Sequence, residues 1–532
     1  MLILVPTILL LITAAVIVLL HVFRPQFNAT WLVAVMGSFF SWLILLFLRF
    51  RLPTSLVYLQ WELSKLYNDS PSLVIDYSSW SYAFAIGTLI FAIVLSSPVN
   101  LQSRAGIFTL AGNLAITGMS YFAVLASNLV SLLIGWAAID LIEIIVLLRN
   151  NPESRNNQRI IIGFTSRISG LMLIFWAIVL GSRIGGYQTD FSSLSPAVGL
   201  PVLIGIGLRL GLFPIHLTYT QEIDTRRSQG NLFRFIPPAT ALVLLSRIPQ
   251  ETLSFDFIAV IRILTFLAAI YGIVRWLIEK RELDLRPYWV MILCSFAILS
   301  TLNGESASSV SWGVSMILIG GSIFLHDTKN PFIFGLLITG MILFSGAPFS
   351  PNASGLAGLI GSPNLLDELI SLLLFILLLV GLFRRMVIKQ TIPPGQERII
   401  YLTYPLSILL MISSYVIIGV FGWKGSRTLG AWPAVITGTI LVILVFMVYR
   451  LRTSWFRRLQ NVISIVSEQY SFLRQGVDKL VRFTWIYNLF GWLFKFIGKF
   501  VDWFTFLLEG NSGLLWGIIF LVLLIMFIGG RG

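Results

Sequence analysis

The sequence has few charged residues, one cysteine and three histidines, and each scarcity excludes a class of protein. Only 11% of its 532 residues are charged, whereas about a quarter of the residues of a soluble protein are. The single cysteine, Cys294, excludes an intrachain disulfide and a cysteine-based metal cluster. His21, His216 and His326 lie far apart along the chain and lack the spacing of metal ligands. The sequence therefore predicts no metal site.

Motifs for catalysis are lacking as well. There is no phosphate-binding loop, no CxxC pair, no nucleophile elbow, and no flavin or quinone motif. We therefore predict no catalytic residue and no cofactor in this chain, so that any redox chemistry would belong to partner proteins. The net charge of +14 favours cationic loops that face anionic lipid and the cytoplasm over binding to nucleic acid.

Apolar windows dominate the rest of the sequence, which is 57% hydrophobic and predicts an all-α polytopic membrane protein. The first segment, 2–20, lacks the basic region and cleavage site of a signal peptide, so we expect a retained helix. Most Lys and Arg residues follow odd-numbered windows, which predicts that both termini lie on the non-cytoplasmic side. About sixteen windows are long enough to cross a bilayer: 2–22, 31–48, 81–96, 105–123, 126–148, 159–181, 197–217, 230–247, 257–277, 287–302, 309–325, 331–361, 365–384, 401–421, 430–449 and 513–529.

Prolines predict that two of these windows are broken helices. Window 197–217 carries a single cation, Arg209, and then reaches Pro214, which cannot continue a helical hydrogen-bond ladder. Window 331–361 is too long for one straight helix and contains Pro348 and Pro351. A broken helix with a charge at membrane depth is typical of an ion-translocating core, whereas the alternative is an ordinary proline kink with a snorkelling arginine.

The two broken windows are the seventh and the twelfth, and this odd separation predicts two five-helix repeats of inverted topology. The repeat units would span 105–247 and 257–384, after N-terminal transmembrane helices in 1–104 and before accessory transmembrane helices in 401–449. Segment 450–504 mixes cations and aromatic residues at helical spacing, which predicts a long amphipathic lateral helix on the cytoplasmic membrane surface, interrupted near Gly491. The alternative for that segment is a soluble linker. A final transmembrane helix would occupy 513–529.

Five short segments between residues 70 and 390 carry a family resemblance: 76–79 (DYSS), 117–136 (TGMSYFAVLASNLVSLLIGW), 205–217 (GIGLRLGLFPIHL), 284–286 (DLR) and 344–350 (FSGAPFS). In order and spacing they resemble the antiporter-like membrane subunits of respiratory complex I and of Mrp-type Na⁺/H⁺ antiporters. They match the segment before the third helix, the fourth and fifth helices, the broken seventh helix with its Phe-Pro-x-His signature, the entry to the tenth, and the break in the twelfth. The C-terminal part, with the amphipathic segment 450–504 and the final span 513–529, resembles the lateral-helix-bearing subtype, of which this chain would be a divergent member.

The resemblance implies a chain of titratable residues, and this sequence departs from it. The family has a Glu after the tryptophan of helix five and a Lys in helix seven, where this chain has Ala137 and Arg209. Arginine keeps its proton at physiological pH and is therefore a poor proton carrier. The family's further Lys, His or Glu positions align with apolar residues or glycine: Phe233, Ala239, Met316, Gly320 and Leu356.

Two acids could replace the missing glutamate. Asp140 lies three residues after Ala137, on the same helical face, and Glu143 follows one turn later. We therefore predict a displaced ion pair between Asp140 and Arg209, with Glu143 as the second choice of partner. The ion-path candidates are Asp140, Glu143, Arg209 and His216. The alternative is that both acids pair with other groups and carry no proton.

Three functions remain open from the sequence. The first is a divergent antiporter-like, proton-conducting-type subunit of a multi-subunit respiratory or ion-translocating complex such as an NADH:quinone oxidoreductase. It would have a degraded proton path, a partly structural role, and other membrane subunits and anionic lipid as partners. The second is the membrane subunit of a two-component inorganic-carbon uptake system. The third is a standalone secondary transporter. A soluble partner would favour the second, and a substrate pocket at the midplane would favour the third.

Overall fold

The computed structural model describes most of the first 423 residues and part of the remainder. The described residues are 2–24, 29–57, 71–97, 104–150, 154–184, 190–213, 215, 227–254, 256–279, 281, 283–325, 331–360, 364–387, 398–423, 436, 438–440, 442–443, 476, 484–509 and 513–529. The chain divides into two compact units, Met1–Gln469 and Tyr470–Gly532.

Helices make up nearly all of the first unit. Its α-helices are α1 (Val5–Phe23), α2 (Thr30–Leu48), α3 (Tyr77–Leu95), α4 (Arg104–Leu125), α5 (Leu129–Asn150), α6 (Ser154–Ile184), α7 (Pro196–Leu210), α8 (Arg227–Arg247), α9 (Ile258–Ile278), α10 (Arg286–Leu302), α11 (Ser306–Leu325), α12 (Pro331–Phe344), α13 (Pro351–Ile360), α14 (Leu365–Val387) and α15 (Arg398–Phe421). A two-stranded antiparallel hairpin, β1 (Thr54–Val57) and β2 (Ser72–Ile75), precedes α3 and pairs Thr54 with Ile75.

Eleven helices among the described residues are long and apolar enough to cross a membrane. Three shorter apolar segments, Pro196–Leu210, Phe332–Phe344 and Trp516–Met526, accompany them. The molecule is therefore an all-α multi-pass membrane protein, apart from the small hairpin. The predicted total of about sixteen spans, the two repeats and the sides of the termini stay predictions, since window 430–449 lies largely outside the described residues.

The centre of the first unit is built from helices that are hidden from the surroundings on nearly all sides. Helices α3, α10 and α11 are almost wholly buried, and Trp80, Trp289 and Trp312 are fully buried in them. Helices α1, α2, α9 and α14 instead leave rows of large apolar side chains exposed. A helix that is apolar all round belongs in the interior of a bundle, and an exposed apolar stripe suits contact with lipid.

The second predicted break is present between α12 and α13. Helix α12 ends at Phe344, and the chain then passes through Gly346 and Phe349, both with positive φ (99° and 62°). Pro351 is the first residue of α13, where its missing N–H leaves no hydrogen bond unmade. The amide of Asn352 donates to the carbonyl of Phe344 at 2.6 Å and so satisfies an acceptor that the break would otherwise expose.

The first predicted break is only partly described. Helix α7 ends at Leu210, and Gly211 adopts a left-handed conformation (φ 79°), which makes it the terminating residue. The N–H of Leu212 then donates back to the carbonyl of Gly207 at 2.8 Å. The helix thus ends four residues before Pro214, inside the window in which the break was predicted. Pro214 and His216 lie outside the described residues.

The second unit contains α16 (Thr484–Glu509) and α17 (Gly513–Gly529). Helix α16 runs through Gly491 without interruption, so the break expected there is wrong. One glycine inside a helix lowers its stability by only about 1 kcal/mol, which is not enough to interrupt a long helix. Residues 450–475 of the predicted lateral helix lie outside the described residues, and the lateral position stays a prediction.

One arginine joins four segments at the end of the bundle where α8 terminates. Arg247 donates from Nε to Oδ2 of Asp76 at 3.0 Å, and its other nitrogens donate to the carbonyls of Val74, Val124 and Ala126. Asp76 itself caps α3 through reciprocal hydrogen bonds with Ser79. Burial alone would raise the pKa of Asp76, but Arg247 and the Ser79 hydrogen bonds outweigh it and lower that pKa below its ordinary value of 3.8.

We predict that Asp76→Asn lowers the melting temperature of the solubilised protein at neutral pH, because asparagine keeps the cap but loses the charge that faces Arg247. A carboxyl group whose pKa is lowered in the folded state stabilises it above the ordinary pKa, and this stabilisation is lost as the pH falls through the lower, folded value. The difference between wild type and variant should therefore narrow below pH 3.8. The exposed Asp502→Asn is the control, and an Asp76→Asn effect that does not depend on pH would contradict the argument.

Candidate functional site

Helix α5 places two acids and a tryptophan on one face inside the bundle. Trp136, Asp140 and Glu143 are spaced four and three residues apart, so a helix stacks their side chains on one side. All three residues are fully buried. Two carboxylates at this depth require cations close by, because water is not there to solvate them.

Helix α7 supplies the first cation. Arg209 donates from Nη1 to Oδ2 of Asp140 at 2.7 Å and from Nη2 to Oδ1 at 3.2 Å, so both carboxylate oxygens are held by one guanidinium. The guanidinium carbon also lies 4.2 Å from the centroid of the Trp136 ring, within cation–π range. The ion pair that the sequence predicts between Asp140 and Arg209 is therefore formed.

Helix α6 supplies a second cation that the sequence analysis did not identify. Arg167 donates from Nη1 to Oε2 of Glu143, and its Nε lies 3.6 Å from Oδ1 of Asp140. Glu143 therefore pairs with Arg167 rather than serving as the alternative partner of Arg209. The signal was present in the sequence, since an arginine inside the apolar window 159–181 is itself expensive and needs an acid.

The four side chains form one network, defined here as the charge network: Asp140, Glu143, Arg167 and Arg209. Their formal charges sum to zero, and none of the four is more than 2% exposed. Both cations are arginines, which remain protonated at physiological pH. The arrangement can bind α5, α6 and α7 together, but its cations cannot deliver a proton to a neighbour.

Two glycines let α6 and α7 approach closely enough to build the charge network. A methyl group on Gly170 would lie 2.7 Å from the carbonyl oxygen of Gly205 and 3.1 Å from Cγ of Arg209. One on Gly205 would lie 3.0 Å from the carbonyl oxygen of Gly170. Such backbone contact is the usual reason for small residues at the interfaces of membrane helices.

The second broken helix carries a polar network without charge. Oδ1 of Asn352 accepts from Ser311 at 3.1 Å and from Ser315 at 2.8 Å, and the Ser315 hydroxyl is 2.8 Å from that of Tyr415. Ser308 continues the row along α11 and donates to the carbonyl of Gly355 at 2.7 Å. These hydroxyl and amide groups bind α11, α13 and α15 together through neutral hydrogen bonds.

Apolar residues and one glycine occupy the positions that align with the family's titratable residues, and they pack inside the bundle. Phe233, Ala239, Met316 and Leu356 are buried, and a Cβ on Gly320 would meet the indole nitrogen of Trp289 at 2.4 Å. Aromatic rings fill much of the space around them, with centroids 5.1 to 6.4 Å apart among Trp276, Trp289, Trp312, Phe296, Phe324, Phe344 and Phe375. Among the residues that the structure describes, no three His, Cys, Asp or Glu side chains come together as metal ligands.

Comparison of the structure with solved structures reveals its fold. Over 98% of its length the chain superimposes on 99% of a chain of the membrane-bound sulfane sulfur reductase, an archaeal respiratory membrane complex, with a TM-score of 0.72 and 15% identity. The chain therefore has the fold of a subunit of that membrane complex. A chain of the Mrp complex from Dietzia sp. DQ12-45-1b is similar over 93% of this chain and 63% of its own length (TM-score 0.65, 13% identity). A chain of respiratory complex I from Thermus thermophilus is similar over 82% and 99% (TM-score 0.64, 15% identity).

Comparison at the level of sequence finds no match, because no protein-family model and no curated protein sequence matches this chain. Identities of 13 to 15% establish the fold alone. The roles of Asp140, Glu143, Arg209 and His216 in an ion path stay predictions.

We predict that removing one charge from the charge network destabilises the folded protein more than removing an acid together with its arginine. Asp140→Asn leaves two buried arginines facing one glutamate, and breaking a buried pair in this way destabilises a protein by about 3–5 kcal/mol. Adding Arg209→Met removes the stranded cation and should restore part of that loss. The measurements are the melting temperature and the yield of monodisperse protein in detergent. A double variant less stable than Asp140→Asn would contradict the prediction.

A second prediction concerns the contact between α6 and α7. Gly170→Ala should destabilise the protein by about 1–3 kcal/mol, because its methyl group would push the backbone of Gly205 and the stem of Arg209 away. Gly335→Ala in α12 is the matched control, since a Cβ there would have no heavy atom within 4 Å. Equal melting temperatures for the two variants would show that α6 and α7 do not need this close contact.

Proposed function

We propose that the chain is a membrane subunit of a multi-subunit respiratory or ion-translocating complex, with a degraded proton path and a partly structural role. The observation that carries the proposal is the match, over nearly its whole length, to a chain of an archaeal respiratory membrane complex. Chains from an Mrp complex and from respiratory complex I share the fold. Other membrane subunits of the same complex would be its partners.

The charge network supports the degraded path. A residue that carries protons must alternate between two protonation states, and a lysine beside a carboxylate can do so as its surroundings change. Here both cations are arginines, and Arg209 holds Asp140 with two hydrogen bonds. The network is therefore suited to fixing the positions of three helices.

The second broken helix supports the same conclusion. Among the residues that the structure describes, the side chains that form hydrogen bonds at the break include the neutral hydroxyls of Ser311, Ser315 and Tyr415 and the neutral amide of Asn352. Leu356 in α13 is fully buried and apolar. Protons passing this half of the bundle would need water to connect neutral hydroxyl and amide groups that lie beside tightly packed aromatic rings.

The amphipathic helix of the C-terminal unit supports a role in which this chain stabilises neighbouring subunits of the complex. The polar residues of α16 fall on one stripe and the aromatic and aliphatic residues cover the rest, as in helices that lie in a membrane interface. Its polar stripe contains Asn488, Lys495, Lys499 and Asp502. We propose that segment 450–504 lies along the cytoplasmic surface, binds anionic lipid through its cations and contacts neighbouring subunits.

Native mass spectrometry of the solubilised assembly tests the proposal of a complex. The expected result is a stoichiometric assembly with other membrane proteins, including at least one subunit with redox or ion-transport machinery. Recovery of this chain alone, in the mildest detergent that extracts it, would contradict the proposal and favour a standalone transporter.

Proton flux in proteoliposomes tests the degraded path. We predict that complexes carrying Asp140→Asn together with Arg209→Met assemble and keep the flux of the wild type within about twofold, because arginine contributes no transferable proton. The same complex with Glu143→Gln and Arg167→Met is the matched second pair. Complexes that assemble normally but lose the flux would show that the pair is a working gate.

A further inference from the structure

Helices α3 and α11 each contain a buried hydroxyl group that lacks a hydrogen-bond partner among the described residues. The two groups belong to Tyr82 in α3 and Ser309 in α11, and neither residue has any exposed surface. A buried hydroxyl without a partner is destabilising, so such groups normally bond to protein or to internal water. The other buried serines of α11 follow this rule and donate to protein oxygens: Ser308, Ser311, Ser315 and Ser322.

A glycine in α11 brings these two hydroxyls near one another. A Cβ on Gly313 would clash with Oη of Tyr82, so the phenol oxygen lies against the α11 backbone at that position. Ser309 precedes Gly313 by one helical turn, and the Cβ positions of residues so spaced are about 5–6 Å apart. The two hydroxyls do not bond to each other across this gap. One water molecule that bonds at about 2.8 Å to each of them would span it.

A thiol from a third helix borders the same face of α11. Met316 follows Gly313 by three residues and therefore shares its face, and Sδ of Met316 lies 3.7 Å from Sγ of Cys294 in α10. Tyr82 and Cys294 are close enough to interact electrostatically, and Cys294 is fully buried as well. Two hydroxyls and a thiol, all able to donate and accept hydrogen bonds, thus lie around two turns of α11.

We propose that Tyr82 and Ser309 bind internal water in a pocket between α3 and α11 that extends to the thiol of Cys294. A buried water bonds to two to four polar groups, and this pocket offers three. Its ligands are water and comparably small neutral molecules, because the three groups are uncharged at neutral pH and an ion among them would lack a counter-charge. The pocket is separate from the charge network, whose members lie on α5, α6 and α7.

Thiol labelling tests the pocket, because Cys294 is the only cysteine in the sequence. In a Cys294→Ala background, Ser309→Cys and Ser308→Cys are each introduced into the whole complex in lipid nanodiscs. Both are treated with the small neutral reagent methyl methanethiosulfonate, and labelling is followed by mass spectrometry. Ser308 is the matched control, since it is buried, donates to the carbonyl of Gly355 and lies nearer the start of α11, so that depth alone would favour its labelling. Ser309→Cys should react at least roughly tenfold faster, because a dry site must open before the reagent can enter.

Tyr82→Phe in the otherwise native chain gives an independent reading, because the sign of its effect differs between a wet and a dry pocket. If water bonds to Oη, deleting the hydroxyl removes a hydrogen bond and lowers the melting temperature of the solubilised complex. If the pocket is dry, the deletion removes an unpaired buried polar group and raises the melting temperature.

Labelling of Ser309→Cys no faster than that of Ser308→Cys would overturn the proposal, as would a higher melting temperature for Tyr82→Phe. If either cysteine variant fails to assemble, the sign of the Tyr82→Phe shift decides the matter. Both measurements are independent of the proposed function, since neither requires proton flux.

Discussion

Charge neutrality inside the bundle is the constraint on which the first half of this fold depends. Four buried charges from three helices sum to zero, and removing any one of them leaves an uncompensated ion where solvation is poor. Asp140 and Arg209 must therefore meet in one register, and Arg167 must reach Glu143 from a third helix. The glycine contact between α6 and α7 follows from this requirement, because larger side chains at Gly170 or Gly205 would hold the helices apart.

The two broken helices meet the demands of the bilayer in different ways. Near the end of α7, the buried polar groups carry formal charges, which belong to the charge network. Gly211 adopts a left-handed conformation and terminates the helix two residues beyond Arg209. At the break after α12 it uses neutral groups, and Asn352 satisfies the exposed carbonyl of Phe344 while its oxygen accepts from two serines. A transporter needs groups whose charge changes during its cycle. Neither break has a lysine or histidine among the contacts of its described residues, which accords with the structural role proposed for this chain.

The sequence predicted the ion pair that follows from the small number of acidic residues in the apolar windows. Arg209 had few acids within reach, so Asp140 could be named as its partner. The role of Arg167 was missed because window 159–181 was identified by its apolar residues, and the inward-facing arginine within it was not considered as a partner for an acid. The break was predicted near Pro214 from the proline alone, and the structure shows that the helix ends at Leu210 because Gly211 adopts the left-handed conformation. The hairpin was missed because its strands are four residues each and are separated by a long connection, which leaves no periodic signal.

The second half of the bundle holds two of its arginines with aromatic and polar groups together. Arg275 donates to the hydroxyl of Tyr288 at 3.0 Å and pairs with Glu279, one turn along the same helix, at 3.2 Å. The half-buried Arg385 lies 4.9 Å from the centroid of the Trp276 ring. A ring or a hydroxyl stabilises a cation without cancelling its formal charge, whereas a carboxylate does both. These two arginines therefore lie in mixed surroundings, whereas the charge network between α5 and α7 is built from charged groups whose formal charges cancel.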